Sequence, residues 1–296
     1  MNTISSVEKP KLSIVLASQN ALESTRDCLS AIQKQSNGSD VEIVVVDNST
    51  DKTAEIIKSE FPEIRLVEAD NTKLIPELWA IGINESSGEY VALTTTHFVP
   101  SETWIASIFK AHEQPYAGIG GAIENDERAG AVAWAVYFCR YSPYMLPFDE
   151  TEVEDFAADN ASYKRRDLDR VKESMRNGFW ETFVHKEMRA VGMSLLKSPK
   201  IIVYHQKSFT LFGFMNQRFW HGKQFGSARA AAVPGAKRIA LVLLSPLIPF
   251  LYLYRITGRV VGRRRNIHRY ILSLPILILF LVSWSLGEFT GYLRKS

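Results

Sequence analysis

The chain has 296 residues, 46% apolar and 23% charged, which is a globular composition with length for one large α/β domain or two smaller ones. Its net charge of +3 joins two opposed parts: 25 Lys/Arg against 31 Asp/Glu in residues 1–236, and ten Lys/Arg against a single Glu from Lys237 onward. Two cysteines, Cys28 and Cys139, far apart and in apolar surroundings, exclude a disulfide framework and a cysteine-based metal cluster.

Leu12 to Ala17 reads as a strand, and Ser18-Gln19-Asn20 turns it into a helix with Leu22, Leu29 and Ile32 on one face. Val41 to Val46 is an almost unbroken β-branched run, the kind covered on both faces in a parallel sheet, and it ends in Asp47-Asn48-Ser49-Thr50-Asp51. A helix over about Lys52 to Phe61, a strand over Ile64 to Glu68 and a helix over Leu74 to Asn84 follow. The next strand, Tyr90 to Leu93, runs into Thr94-Thr95-Thr96-His97 and is stopped by Pro100. This alternation predicts βαβ units and an α/β fold with a mostly parallel sheet flanked by helices. In such a sheet the ligand crevice lies beyond the carboxyl ends of the strands, so Thr95, Thr96 and His97 are placed to line it. Neither a G-x-G-x-x-G after the first strand nor a G-x-x-x-x-G-K-[ST] is present, which excludes a dinucleotide fingerprint and a P-loop.

Ser101 to about His112 reads as a helix, and Gly118 to Ile123 as a glycine-rich strand suited to close backbone approach. Trp134 to Phe148, with Pro143 and Pro147, is expected to be loop and short helix, and the acidic run Asp149 to Asp155 a solvated loop. A helix is expected from Gly178-Phe179-Trp180-Glu181 to Ala190, stopped by Gly192, before a last strand over Ile201 to His205. Residues 206–236 carry an aromatic and basic patch that includes Arg218, Trp220 and Arg229.

The domain boundary is expected at 236/237, because Ile239 to Tyr254 and Ile271 to Leu286 are apolar and flank a basic loop. Each is marginal against the ~20 residues a spanning helix needs, and the second is completed by Phe289 to Leu293. The arginines at 255, 259, 263, 264, 265 and 269 place the intervening loop on the cytoplasmic side. Residues 1–10 are polar with no run of secretory length, so the N-terminal domain is expected on that side too. Both expectations hold if the first segment, with Pro246 and Pro249, is re-entrant or lies along the interface; a full hairpin is the alternative.

Four segments in order carry a resemblance: Ser18-Gln19-Asn20 after the first strand, Val44-Val45-Val46-Asp47-Asn48-Ser49-Thr50-Asp51, Gly88-Glu89-Tyr90-Val91, and Trp180-Glu181 before a helix ending at Gly192. Together they resemble the family 2 glycosyltransferases with the GT-A fold, over roughly residues 11 to 230. The tail Gly287-Glu288-Phe289-Thr290-Gly291-Tyr292 is similar to the end of membrane-associated members. The resemblance implies inverting transfer from a nucleoside-diphosphate sugar to a lipid-linked or polysaccharide acceptor at the cytosolic membrane face, with no nucleic-acid partner. A non-catalytic domain that binds nucleotide sugar or a partner enzyme at the membrane is the alternative.

Carried over position by position, Glu181 is the general base, or simply a helix N-terminal glutamate favoured by the dipole. Asp47 accepts from the nucleobase, or caps the following helix. Ser18, Asn20, Asn48, Thr95 and Thr96 fall on the donor side. Asp159, Asn160, Tyr163 and Trp180 fall on the acceptor side, and Arg218 and Arg229 are placed to neutralise the diphosphate. The family's Asp-x-Asp, which holds Mg²⁺ or Mn²⁺, is replaced here by Thr95-Thr96-His97. Two hydroxyls are poor ligands for a hard cation. A divalent metal then depends on His97 and His205, if the two rings lie close together; otherwise basic side chains alone meet the diphosphate.

Overall fold

The computed structural model describes residues 9–36, 40–231 and 233–293. In chain order the first elements are β1 (Leu12–Ser18), α1 (Leu22–Gln33), β2 (Val41–Asp47), α2 (Thr53–Glu60), β3 (Arg65–Glu68), α3 (Ile75–Asn84), β4 (Tyr90–Thr95), β5 (Phe98–Pro100), α4 (Trp104–His112) and β6 (Gly118–Asn125). After α5 (Ala131–Tyr141) come β7 (Thr151–Val153), β8 (Asn160–Lys164), α6 (Arg165–Arg170), α7 (Glu181–Ala190) and β9 (Leu195–His205). Four helices complete the chain: α8 (Leu211–Ala231), α9 (Gly235–Leu244), α10 (Ile248–Arg263) and α11 (Ile267–Leu293). These elements form two compact units, one of residues 1–124 with 147–207 and one of residues 125–146 with 208–296. The boundary expected at 236/237 falls inside the second unit.

The first unit is built on one sheet in the order β3-β2-β1-β4-β8-β6-β9-β5, with β7 added on β9. The strands pair in parallel from β3 through β4, and β8 then joins β4 in the antiparallel sense. All of β1 and the last four residues of β2 are buried, as their apolar and β-branched runs require of strands covered on both faces. Asn160 fastens the change of direction: its amide donates to the carbonyls of Ala122 (2.8 Å) and Ile201 (3.0 Å), and its oxygen accepts from the Trp104 indole at 2.9 Å. Gly121 leaves room for that amide, since a Cβ there would overlap the Asn160 side chain and the Ile201 carbonyl.

Two expectations are corrected. Residues 131–141 form one continuous helix, because both prolines of this stretch lie beyond it. The acidic run is not wholly loop, as Thr151–Val153 pairs with β9. Most of the patch after His205 is the 21-residue helix α8.

The second unit is held by a glycine seam. Gly222 and Gly226 on α8 meet Gly287 and Gly291 on α11, so that a Cβ at any of them would run into backbone of the opposite helix. Small residues four apart on both helices allow this backbone approach, a device common between membrane helices. The seam also buries Glu288, whose carboxylate accepts from the Trp284 indole and, at 2.5 Å, from the Tyr292 hydroxyl. Residues 237–263 and 267–293 are each long and apolar enough to cross a membrane. The first leaves Ile239, Leu243, Leu247, Phe250 and Tyr254 exposed, and a 3-10 turn at Ser245–Leu247 joins its two helices where Pro246 interrupts the ladder.

Backbone atoms on both sides of the seam cannot yield as a flexible side chain would. Gly287→Val is therefore expected to cost about 3 kcal/mol of stability, measured by thermal unfolding of the detergent-solubilised protein. Gly258→Val, whose Cβ meets nothing within 4 Å, should leave unfolding within about 0.5 kcal/mol of the parent.

Candidate active site

The parallel register brings three strand ends to one level: Ser18 lies opposite Asp47, and Ala17 opposite Thr95. Because paired residues share a face, Ser18, Asp47 and Thr94 all face one side of the sheet at its carboxyl edge. Asn20 ties the edge together from a left-handed backbone (φ 49°), a conformation asparagine tolerates better than most residues. Its amide N–H donates to Ser49 Oγ at 2.8 Å, and its side-chain oxygen accepts from the backbone and hydroxyl of Thr50 at 2.9 and 3.2 Å.

Asp47 is 3% exposed and accepts from the Ser49 hydroxyl at 2.6 Å and the Ser49 N–H at 3.2 Å. Capping of α2 falls instead to Asp51, which takes the Thr53 N–H at 3.0 Å. A carboxylate has about four acceptor positions, so Asp47 keeps capacity for a further donor. Asn48 donates to the Lys73 carbonyl at 2.7 Å. The oxygens of Ser18, Asn48, Thr94 and Thr96 are buried with no hydrogen-bond partner among the described residues. Buried polar atoms are nearly always satisfied, and four exceptions at the carboxyl ends of three adjacent strands mark this edge as a place for a polar ligand.

His97 and His205 do not form a ligand pair. The antiparallel pairing of β5 and β9 sets His205 opposite Phe98, with the ring centroids 5.2 Å apart. The His97 ring lies elsewhere, with Nδ1 3.5 Å from Ser24 Oγ and Nε2 accepting from Lys207 Nζ at 2.9 Å. Both nitrogens of His97 thus face protein groups. An ammonium stands where a cation bound to Nε2 would have to be, and hydroxyls occupy the two carboxylate positions. Among the described residues no three His, Cys, Asp or Glu side chains are grouped to hold a metal. The residues present do not fit a divalent cation of the Asp-x-Asp type.

Glu181, the expected base, is half-buried at the first position of α7. Trp180 precedes it, 39% exposed, with its indole donating to the Asn177 carbonyl at 3.1 Å. Gly192, at φ +84°, ends the helix region as a left-handed residue should. The helix is fixed from below: His185 Nδ1 hydrogen-bonds Asp155, His185 Nε2 meets the Tyr163 hydroxyl at 2.7 Å, and Thr182 donates to Asp155 at 3.1 Å. Tyr163 is fully buried by this arrangement, and Asn160 is engaged by three framework partners, so both belong to the scaffold and not to an acceptor surface. Asp159 is half-buried just before β8, whose Asn160 pairs with Thr94, and is thereby carried to the same sheet edge. Arg218 and Arg229 lie in the second unit, where they contact His221 (2.9 Å) and the Tyr292 hydroxyl (3.5 Å).

Lys207, Thr94 and the Asp155–His185 pair were not among the residues expected at the site. A lysine two positions after the last strand was the available signal for the first. The pairing of Asp155 with His185 spans 30 residues and had none.

The family model for glycosyl transferase family 2 matches residues 13–172, more than half of the chain, and the chain belongs to that family: it is a glycosyltransferase. Among solved structures it is similar to the mannosyltransferase PcManGT from Pyrobaculum calidifontis in complex with GDP-Man and Mn²⁺, at 16% identity and a TM-score of 0.54 over 93% of this chain and 86% of that one. It is also similar to residues 1–349 of S. aureus TarS in complex with UDP-GlcNAc, at 12% identity and a TM-score of 0.52 over 94% and 90% of the two chains. At these identities the likeness concerns the GT-A fold. No curated protein matches the chain.

Burial alone would raise the Asp155 carboxyl, but hydrogen bonds from His185, Thr182 and the Phe156 N–H hold it below the usual carboxylate range. A depressed native value means stability that is complete above the unfolded value near 3.9 and is lost as pH falls through the native one. Asp155→Asn is expected to cost about 1–2 kcal/mol at neutral pH, and the difference from the parent should vanish in urea unfolding below about pH 3.

Proposed function

We propose that the protein transfers a sugar, with inversion, from a nucleoside diphosphate to a hydroxyl of a lipid-linked or polysaccharide acceptor at the cytosolic face of a membrane. The observation that carries the reading is the carboxyl edge of β1, β2 and β4, where Asp47 with spare acceptor capacity stands beside four unpartnered buried oxygens. Family membership supports reading this edge as the donor site. The donors bound by the structural neighbours, GDP-Man and UDP-GlcNAc, support the nucleoside-diphosphate class.

In this mechanism Asp47 accepts from a base N–H, and Ser18, Asn48, Thr94 and Thr96 meet the polar groups of the donor. Glu181 takes the proton of the acceptor hydroxyl as its oxygen attacks the anomeric carbon. The bond from that carbon to the diphosphate oxygen breaks on the opposite face, and the electron pair leaves with the nucleoside diphosphate. Lys207, donating to His97, supplies positive charge to the leaving group where other members place a metal. Trp180 and Asp159 flank the acceptor. The apolar helices from residue 237 onward, with their arginine-rich junction, support an acceptor held at the bilayer and a cytosolic active site.

Purified full-length protein assayed over a panel of nucleotide sugars should transfer sugar with Mn²⁺, with Mg²⁺ and with chelator at comparable rates, giving product of inverted anomeric configuration. Glu181→Gln should lower kcat by roughly 10²- to 10⁴-fold while leaving donor binding unchanged. Donor binding with no turnover under any condition would favour the binding-module reading.

A further inference from the structure

The second unit contains a cavity of about 250 Å³ that neither the donor nor the acceptor reading uses. Three guanidinium groups line it, from Arg218 on α8 and from Arg255 and Arg259 on α10, and Ile256, Leu281 and Trp284 supply apolar wall. Arg218 Nε is fully buried without a hydrogen-bond partner among the described residues, while its Nη2 donates to His221 Nδ1 at 2.9 Å. The Arg218 guanidinium also lies 5.2 Å from the centre of the Trp284 ring. Arg259 reaches the Ser142 hydroxyl at 3.3 Å.

No carboxylate answers these charges. Among the described residues, none of the three arginines forms an ion pair. The acid of this region, Glu288, is held by Trp284 and Tyr292. Arg255 and Arg259 are one helical turn apart, a like-charge spacing that destabilises an isolated helix. Burial pulls the Arg218 pKa below its ordinary value, opposed by the neighbouring Cys139 thiol and aided by the charge of Arg140. A bound dianion would relieve all of these at once. The forked donors of arginine suit the oxygens of a phosphate.

The geometry points to a binding site for the phosphate headgroup of a membrane lipid, with Arg218, Arg255 and Arg259 on the phosphate and Leu281 and Trp284 against the start of the acyl or prenyl chain. The lipid source follows from where the cavity lies, between helices of which two are long and apolar enough to cross a membrane. The assignment stands apart from glycosyl transfer and is tested by binding alone.

The probes are dihexanoyl phosphatidic acid, dihexanoyl phosphatidylcholine and inorganic phosphate, each titrated against the full chain in detergent, with bound ligand read by native mass spectrometry. Phosphatidic acid should bind at one site, with phosphatidylcholine and inorganic phosphate each weaker by about a hundredfold. Arg255→Gln removes an exposed charge that makes no hydrogen bond among the described residues, and should weaken phosphatidic acid binding on the order of tenfold, as should Arg259→Gln. An unchanged melting temperature for Arg255→Gln ties that loss to the site. Equal binding of inorganic phosphate would overturn the lipid assignment in favour of a free anion. Equal binding of phosphatidylcholine, or phosphatidic acid binding indifferent to both substitutions, would overturn the arginine site itself.

Discussion

One hydrogen bond, from Lys207 Nζ to His97 Nε2 at 2.9 Å, places a positive charge at the carboxyl edge of the sheet. A diphosphate leaving group needs positive charge close to it, and a GT-A site usually gathers that charge with two carboxylates and a cation. Here the carboxylates are hydroxyls, and the histidine that follows them is already bound to an ammonium. A lysine and a divalent cation cannot share one imidazole nitrogen. In the proposed chemistry Lys207 takes the place of the cation that an Asp-x-Asp would hold.

The sheet makes that arrangement possible. Parallel pairing of β1 with β2 and β4 levels the three strand ends, and the antiparallel return through β9 brings Lys207 back beside the end of β4. Asn20 and Asn160 do the local fastening, one between neighbouring strand ends and the other where the sheet changes direction. The helical unit rests on a different constraint, the absence of side chains along the α8–α11 seam, which lets two backbones approach and encloses Glu288.

Much of the first unit was legible because periodicity reports burial. The runs Leu12–Ala17 and Val41–Val46 are buried strands, and helices end near the expected glycines and prolines. The position of Asp47 at a strand end was readable for the same reason. What could not be read were partners distant in sequence. Tyr163 and Asn160 look like loop polar groups until His185, Trp104 and two carbonyls are seen to hold them. His97 and His205 are neighbours in strand pairing, yet a strand's alternation sends adjacent side chains to opposite faces, so proximity of backbone did not give proximity of rings. Residues 211–231 escaped because α8 is a helix without a clean apolar stripe, its glycines being a packing face that hydrophobicity does not register.

On the proposed reading protein cations, Lys207 first, meet the donor diphosphate in place of a metal. Calorimetric titration of the purified full-length protein with nucleoside diphosphate, in Mn²⁺ and in chelator, for the parent and for Lys207→Met, tests it most directly. The parent should bind with the same affinity in both buffers, and Lys207→Met should lose about tenfold or more. Affinity that disappears with chelator and is untouched by Lys207→Met would contradict it.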